Sequence, residues 1–331
     1  MNNSEKNLRT KILASVKSLC VFLKRIFTHP AVQTIAIFLV VAFAIYYFID
    51  QYDSIKNYLL KKNFNIHYLM WALLLTIFAT FLGCIRWWAL LSWLGVKSDW
   101  IEISKYYALS TLSKYIPGFI WQYASRTLYM ENFKIPIKTI GTAIAAEFFL
   151  ITSVGGVLSN LTFFFVQLSF KNQNYFLLVL VILPLISLFI IFFQKIINKI
   201  YRLIRQKEPV YQPKYYWISI LLIFSGWILM SCAYWFIVYF LDVQDFSFLT
   251  AIFFNSTSFT IGNLVIPIPN GLIIRETILV LLGGELYNEI SMVLSSTIFR
   301  LLILVAESAI ALLFFVISFI LRKRNPSSID H

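Results

Sequence analysis

The chain has 331 residues, of which 60% are hydrophobic and only 13% are charged. Soluble domains are about half apolar and about a quarter charged, so this composition excludes an ordinary soluble protein and predicts a polytopic membrane protein. The formal net charge of +13 would suit a nucleic-acid partner, but the basic residues lie in loops and tails between apolar runs. We therefore expect no nucleic-acid partner, and we attribute the charge to cytoplasmic retention of those loops.

Metal, nucleotide and hydrolytic chemistry are not indicated. The histidines fall outside the predicted spans, and the cysteines have no paired spacing. No phosphate-binding glycine motif occurs, and no nucleophile stands beside a base. We expect no cofactor, no metal and no enzymatic activity. The cysteines are Cys20, Cys84 and Cys232, and the histidines are His29, His67 and His331.

Residues 1–30 are predicted to form a basic amphipathic segment on the cytoplasmic side. They contain six Lys and Arg residues but only one acid, Glu5. Apolar residues recur at spacings of three and four, as on one face of a helix. Such a helix should lie on the anionic lipids of the inner leaflet. The alternative is a solvated anchor helix without lipid contact.

Residues 31–321 are predicted to form a single, all-α transmembrane domain, followed by a cytoplasmic tail at 322–331. A span needs about 20 apolar residues. Trp87, Trp88 and Trp93 follow the second span and are predicted to form an aromatic belt at the interface. Six full spans are predicted, at about 31–49, 68–86, 139–167, 175–193, 215–241 and 292–321.

The loop charges predict the orientation. The loop at 195–214 is the most basic, whereas the loops at 242–247 and 283–291 contain acids and no Lys or Arg. Basic loops stay in the cytoplasm, so both termini should be cytoplasmic. We expect a multi-pass protein of the inner, or plasma, membrane.

Two segments within the apolar regions are broken by proline and glycine. They cover 104–130, with the motif KYIPGFIWQYASR at 114–126, and 248–282, with IPIPNGLIIRE at 266–276. With six full spans, all the basic loops lie in the cytoplasm only if each of these two segments returns to the side from which it enters. Both are therefore predicted to be re-entrant hairpins, the first from the cytoplasm and the second from outside. The alternative is two ordinary kinked spans, which gives eight crossings.

This arrangement predicts a weak inverted repeat. Each half consists of a span, a hairpin and a span, over about 68–167 and 215–321. Broken helices that meet near the midplane form the substrate sites of many transporters. The prediction thus points to a binding site between the two hairpins.

Ionisable side chains in the apolar segments are the candidate site, since each charge at the bilayer centre costs about 2.5–3.5 kcal/mol. Arg126 and Arg275 follow the two breaks and are expected to converge on one phosphate at the midplane. The helix after Gly271 should direct N–H groups at the same anion. The acids would balance charge or take up a proton, and the polar run at 255–263 would add hydrogen-bond partners. The predicted binding residues are Arg126, Arg275, Arg300, Lys114, Glu147, Glu276, Glu307, Asn270, Trp121 and Gln122.

Two further predictions concern side chains on the spans. Arg300 and Glu307 lie seven residues apart on one helix face, about 10 Å along the axis, which suits a shared cavity better than a direct ion pair. Arg86 lies beside Trp87 at the predicted end of the second span. It either joins the charged interior or only extends its head group to the interface.

At these residues the chain resembles the lysylphosphatidylglycerol synthase transmembrane-region family, a flippase-like integral membrane domain. The resemblance rests on RWWALLSWLGV at 86–96, the two broken motifs, Glu147 and Arg300. The chain departs from the family pattern at Glu147-Phe148 and at Trp121-Gln122, which puts the choice of head group in doubt. Some members carry a soluble aminoacyl-transferase domain, whereas this chain ends just after its last span. The resemblance therefore implies lipid translocation without lipid synthesis.

The function expected is that of a flippase-like transporter, which moves an anionic phospholipid or a polyprenyl-phosphate-linked glycan between leaflets. Its partners would be that lipid or lipid-linked sugar and the anionic lipids of the inner leaflet. The alternative is a non-transporting accessory subunit. Such a subunit would dock a glycosyltransferase or lipid-modifying synthase through the basic loop at 195–214. An enzyme that acts on a lipid-linked sugar is a third interpretation.

Overall fold

The computed structural model describes residues 64–115, 121–131, 133–163, 165–166, 195–196, 198–199, 211–243, 245–264 and 274–324. Within these ranges the regular structure is helical and contains no strand, which confirms the all-α prediction. The segment at 1–30, the predicted spans at 31–49 and 175–193, and Asn270 lie outside the described residues. The described ranges contain eight bounded α-helices, namely α1 (Ile66–Trp93), α2 (Trp100–Leu112), α3 (Trp121–Glu131), α4 (Ile137–Phe163), α5 (Pro213–Phe240), α6 (Phe248–Leu264), α7 (Ile274–Tyr287) and α8 (Glu289–Arg324).

Four of the described helices, α1, α4, α5 and α8, are long and apolar enough to cross a membrane. Their lengths are 28, 27, 28 and 36 residues, against the roughly 20 residues that a bilayer requires. They coincide with the spans predicted near 68, 139, 215 and 292. The chain is therefore a multi-pass membrane protein. The total of six spans stays a prediction.

Local sequence explains where several helices begin and end. The Asn65 side chain accepts a hydrogen bond from the His67 amide at 3.1 Å and caps α1. Asp99 accepts from the Ile101 amide at 3.4 Å and caps α2. Pro213 occupies the first turn of α5, where no amide partner is lost. Gly95, with φ of 82°, follows the end of α1.

The predicted end of the second span at Arg86 is wrong, because α1 continues to Trp93. The predicted aromatic belt is also wrong for Trp87 and Trp93, which are fully buried in the core. The charge of Arg86 does not end the helix, because Glu147 neutralises it inside the bundle, so the apolar helix passes through this position. Of the two alternatives for Arg86, the structure therefore shows the one inside the bundle.

Each broken segment consists of two short helices in contact. The pairs are α2 with α3, and α6 with α7. The longest of the four helices, α6, has 17 residues and measures about 25 Å at 1.5 Å per residue. That is less than the roughly 30 Å of a hydrocarbon core. The breaks at 116–120 and 265–273 lie outside the described residues, so re-entry stays a prediction.

The two halves of the bundle follow one packing plan. The helices α1 and α5 pack against each other along the centre, and each hairpin reaches across to the other half. The helix α2 contacts α8, and α6 contacts α4. Exchange of α1–α4 for α5–α8 maps each of the main helix contacts onto another main contact. This correspondence supports a structural repeat, whose inverted orientation stays a prediction.

The two interfaces between halves differ in chemistry. Where α6 meets α4, a Cβ added at Gly155 would lie 2.5 Å from both the Trp227 ring and Thr260 Oγ1. Nearby, the hydroxyl groups of Ser159 and Thr257 are 2.5 Å apart. This interface is close-packed. The matching interface of α2 with α8 instead contains charged groups, and these belong to the candidate site.

Candidate anion-binding site

One buried carboxylate on α4 contacts side chains from α1, α2 and α3. The Glu147 Oε1 atom accepts hydrogen bonds from Arg86 and from the Tyr107 hydroxyl, both at 2.7 Å. Its Oε2 atom pairs with Arg126. Arg126 also donates through Nε to the Ser110 hydroxyl at 3.2 Å. A single acid therefore holds two guanidinium groups, and we call Arg86, Glu147 and Arg126 the first group.

Arg126 is enclosed on all sides and has no exposed surface. Its guanidinium carbon lies 4.6 Å from the centre of the Trp87 ring and 4.3 Å from that of Tyr107. Aromatic faces attract cations at this range. The side chain thus has a carboxylate, a hydroxyl and two rings as partners.

The second group lies in the other half and links α7 to α8. Arg300 forms an ion pair with Glu276, in which Nη2 donates a hydrogen bond to Oε2 at 3.0 Å. The Arg300 Nε atom lies 2.7 Å from Oε1 but is not aligned for a second hydrogen bond. Ser296 also donates to Glu276 at 3.3 Å. The pair is more accessible than the first group, with 26% of the Arg300 side chain and 22% of the Glu276 side chain exposed.

A third ion pair crosses between the halves. Lys114, in the turn after α2, pairs with Glu307 on α8, and the Tyr115 hydroxyl donates to the other oxygen of that carboxylate at 2.9 Å. Farther along the same interface, Lys105 on α2 donates to the Ser318 hydroxyl at 3.0 Å. Polar contacts therefore connect α2 and α8 at two levels.

Arg275 lies at the start of α7 and rests on one face of α6. Its guanidinium carbon is 3.3 Å from the centre of the Phe259 ring, and its Nη2 donates to Asn263 Oδ1 at 3.3 Å. Between these residues, Gly262 leaves room for the aliphatic stem, since a Cβ there would lie 2.9 Å from Arg275 Cγ. Positions 259, 262 and 263 are three and four residues apart, so they share one helix face.

The ion pairs of the two halves are related with their charges exchanged. In the first half, a cation on α3 (Arg126) meets an acid on α4 (Glu147). In the second half, an acid on α7 (Glu276) meets a cation on α8 (Arg300). Each pair joins the second arm of a hairpin to the span that follows. The repeat thus preserves the position of an ion pair and reverses its polarity.

The structure places Arg126 and Arg275 in different surroundings. Within the described part of the chain, no hydrogen bond or ion pair joins them. Arg275 interacts electrostatically with Arg300, Glu276 and Glu307, whereas Arg126 belongs with Glu147. Their convergence on one phosphate stays a prediction. Arg300 and Glu307, predicted to share a cavity, pair with Glu276 and Lys114 respectively.

The remaining predicted residues are less closely connected to the ion pairs. Trp121 is 46% exposed at the start of α3, and Gln122 follows it there. The polar run on α6 is largely buried. Asn255 donates to Ser231 at 3.1 Å, and Thr257 contacts α4. The hydroxyl and amide groups of that run from 255 to 260 therefore serve helix packing, and only Asn263 contacts a predicted binding residue.

Arg86, Tyr107 and Tyr115 are the contributors that the predicted binding set omits. One signal for Arg86 was available, since the apolar run continues past it to Val96, which places the arginine inside a helix. No comparable signal marks the tyrosines. Their role depends on carboxylates that lie 40 and 192 residues away in the sequence.

This fold and these buried ion pairs define a polytopic helical membrane protein with a charged interior. More specifically, the chain belongs to the family described as the lysylphosphatidylglycerol synthase TM region, whose model matches residues 33–311. A comparison with curated proteins gives no match. Family membership is consistent with a lipid-related role in the membrane.

Proposed function

We propose that the protein moves a lipid with an anionic, phosphate-bearing head group between the leaflets of the inner membrane. The observation that carries this proposal is the charge balance of the interior. Among the described residues, the first group, the second group, the Lys114–Glu307 pair and Arg275 together contain five cations and three carboxylates, and the buried Lys105 adds a cation that Glu102 balances. Uncompensated charge is costly at membrane depth. An anion that enters the interior would relieve this imbalance. The cations are Arg86, Lys114, Arg126, Arg275 and Arg300, and the acids are Glu147, Glu276 and Glu307.

The broken helices suggest how the anion would reach the interior from both sides. If the two hairpins enter from opposite faces, the two halves can open alternately around one site, as in transporters built from inverted repeats. The ion pairs would then hold the empty site closed. A lipid phosphate would compete with the carboxylates for the cations, and its acyl chains would stay in the surrounding bilayer. Both termini would lie in the cytoplasm.

A reconstitution assay tests the proposal. The full-length protein would be placed in phosphatidylcholine vesicles that contain fluorescent phosphatidylglycerol, and a membrane-impermeant quencher would report which leaflet holds the label. We expect the protein to accelerate the exchange of this label, and to act less on fluorescent phosphatidylcholine. Undecaprenyl-phosphate-linked sugar would be the second substrate tested, since the same phosphate chemistry applies.

The variants Arg275→Gln and Arg300→Gln should slow label exchange at least about tenfold, which is the effect of losing one charge-assisted hydrogen bond. Lys97→Ala removes a cation from an exposed position and should have no effect. Wild-type protein that exchanges no label, or Arg275→Gln and Arg300→Gln variants that exchange it at the wild-type rate, would refute the proposal. In the first case, the accessory-subunit alternative would gain support.

A further inference from the structure

We infer that the two arginines predicted to share the phosphate have different tasks. Arg275 is the residue that contacts the anionic group, and Arg126, on α3, is a positioning residue that holds α1, α2, α3 and α4 together. The inference deepens the proposed function, on which it depends for the lipid nature of the ligand. The evidence for the inference is the difference between the interaction partners of the two guanidinium groups.

Arg275 has a cationic charge that no carboxylate contacts among the described residues. Its Nη2 atom donates a hydrogen bond to the neutral amide of Asn263, and its Nε atom is buried without a hydrogen-bond partner. The two nearest acids, Glu276 and Glu307, are already paired with Arg300 and Lys114. A buried donor without an acceptor is costly. An incoming anion would supply the missing acceptor.

The surroundings of Arg275 hold its side chain in place. Phe259 lies under the guanidinium group, Gly262 accommodates the stem, and Asn263 binds one terminal nitrogen. All three belong to one face of α6. A site built in this way fixes the direction of the side chain before the ligand arrives, which lowers the entropic cost of binding.

Arg126 has the opposite character. One of its terminal nitrogens, Nη2, also has no hydrogen-bond partner, but the side chain has no exposed surface and lies between two aromatic rings. A phosphate could reach it only if α1, α2, α3 and α4 separated and Glu147 gave up its ion pair. Arg300 and Glu276, near Arg275, expose about a quarter of their side chains. The region around Arg275 is thus more accessible than the region around Arg126.

The ligand class that follows is a phosphate-bearing anion, because a guanidinium group binds two phosphate oxygens at once. That chemistry is shared by a lipid head group and by free phosphate. The two sources are separated by testing dioctanoyl phosphatidylglycerol against inorganic phosphate. Dioctanoyl phosphatidylcholine, which has the same chains and no net charge, is the control.

Binding is measured on the full-length protein in detergent, from the rise in melting temperature as each probe is added. We expect phosphatidylglycerol to stabilise the wild type more than phosphatidylcholine does. Arg275→Gln should weaken the apparent affinity for phosphatidylglycerol about 10- to 100-fold, the effect of losing a charged hydrogen bond. Arg275→Lys, which keeps the charge and loses the two-point geometry, should fall between.

Arg126→Lys distinguishes a positioning role from ligand contact. It should lower the melting temperature of the ligand-free protein and leave the affinity for phosphatidylglycerol within about twofold of the wild type. Gly262→Ala gives a second test that leaves every charge in place. The added methyl group displaces the Arg275 stem, so the affinity should drop while Arg275 remains present.

Several outcomes would overturn the inference. These are wild-type affinity in Arg275→Gln, or an affinity loss in Arg126→Lys as large as that in Arg275→Gln. Arg275-dependent binding without label exchange in vesicles would support the site and refute transport. Arg275-dependent binding of inorganic phosphate alone would support the anion site and refute a lipid ligand.

Discussion

Removal of the Glu147 charge should destabilise the protein more than any other single carboxylate change described. The Glu147→Gln variant keeps the shape of the side chain and one acceptor oxygen. It leaves Arg86 and Arg126 facing each other without an acid, at a site where Glu147 exposes only 8% of its side chain. Breaking one buried ion pair costs about 3–5 kcal/mol. We expect a loss at least at the upper end of that range, since two pairs share this carboxylate.

Thermal unfolding in detergent measures the effect. A change of 1 kcal/mol shifts the melting temperature by roughly 1.5 °C in a domain of about 290 residues, at about 2.1 cal/mol/K of unfolding entropy per residue. A loss of about 5 kcal/mol or more therefore corresponds to a decrease of at least about 8 °C. Glu131→Gln is the matched control, because this acid is exposed at the end of α3, and it should shift the melting temperature by less than about 2 °C.

A double variant tests the physical reason. Glu147→Gln combined with Arg126→Gln removes one cation together with the acid, so it should recover part of the stability lost in Glu147→Gln alone. The reasoning would be refuted by a decrease below about 3 °C in Glu147→Gln. It would also be refuted by a double variant whose losses simply add, since independent losses mean that the two side chains do not interact.

Three further changes test the interfaces between the halves. Gly155→Ala should cost about 1–3 kcal/mol by overpacking, measured by thermal unfolding. Gly226→Ala, where a Cβ inside α5 meets nothing within 4 Å, should instead leave stability unchanged or raise it by up to about 1 kcal/mol. The single change Lys114→Glu should lower the melting temperature, because it places two acids together. The double variant Lys114→Glu with Glu307→Lys should recover part of that decrease. A double variant that recovers none of it would contradict the ion pair. Tyr115→Phe should cost about 0.5–1.5 kcal/mol through its lost hydrogen bond, and an unchanged melting temperature would argue against that contact.

Much of the architecture is predictable because hydrophobicity is a local property. Within a bilayer, the backbone N–H and C=O groups of an apolar run must form hydrogen bonds inside the protein, and a helix satisfies all of them. The spans that start near 68, 139, 215 and 292 can therefore be predicted from each segment alone, without knowledge of the segments that pack against it. Proline and glycine likewise mark 104–130 and 248–282 as broken segments. The predicted ends were less accurate. The predicted end at Arg86 is wrong because the residue that neutralises this charge, Glu147, is 61 positions away in the sequence.

The candidate site illustrates the limit of the sequence. Residue type and membrane cost single out Lys114, Arg126, Glu147 and Glu307 as groups that should avoid lipid, since isolated charge is expensive at that depth. Their partners are not inferable from type, because five cations and three acids allow many pairings. Nor does the sequence indicate that Arg126 is sealed while Arg275 lacks a carboxylate.

The sequence by itself therefore determined the class of protein, the positions of its described spans and the residues that carry charge into the bilayer. Only the tertiary structure decided which charges meet. Lys114 and Glu307 are 193 residues apart and belong to different halves, and they meet because α2 packs on α8 rather than on its own span α4. Which face of a helix meets which neighbour depends on the packing of all eight described helices together, and no local stretch of sequence contains that information.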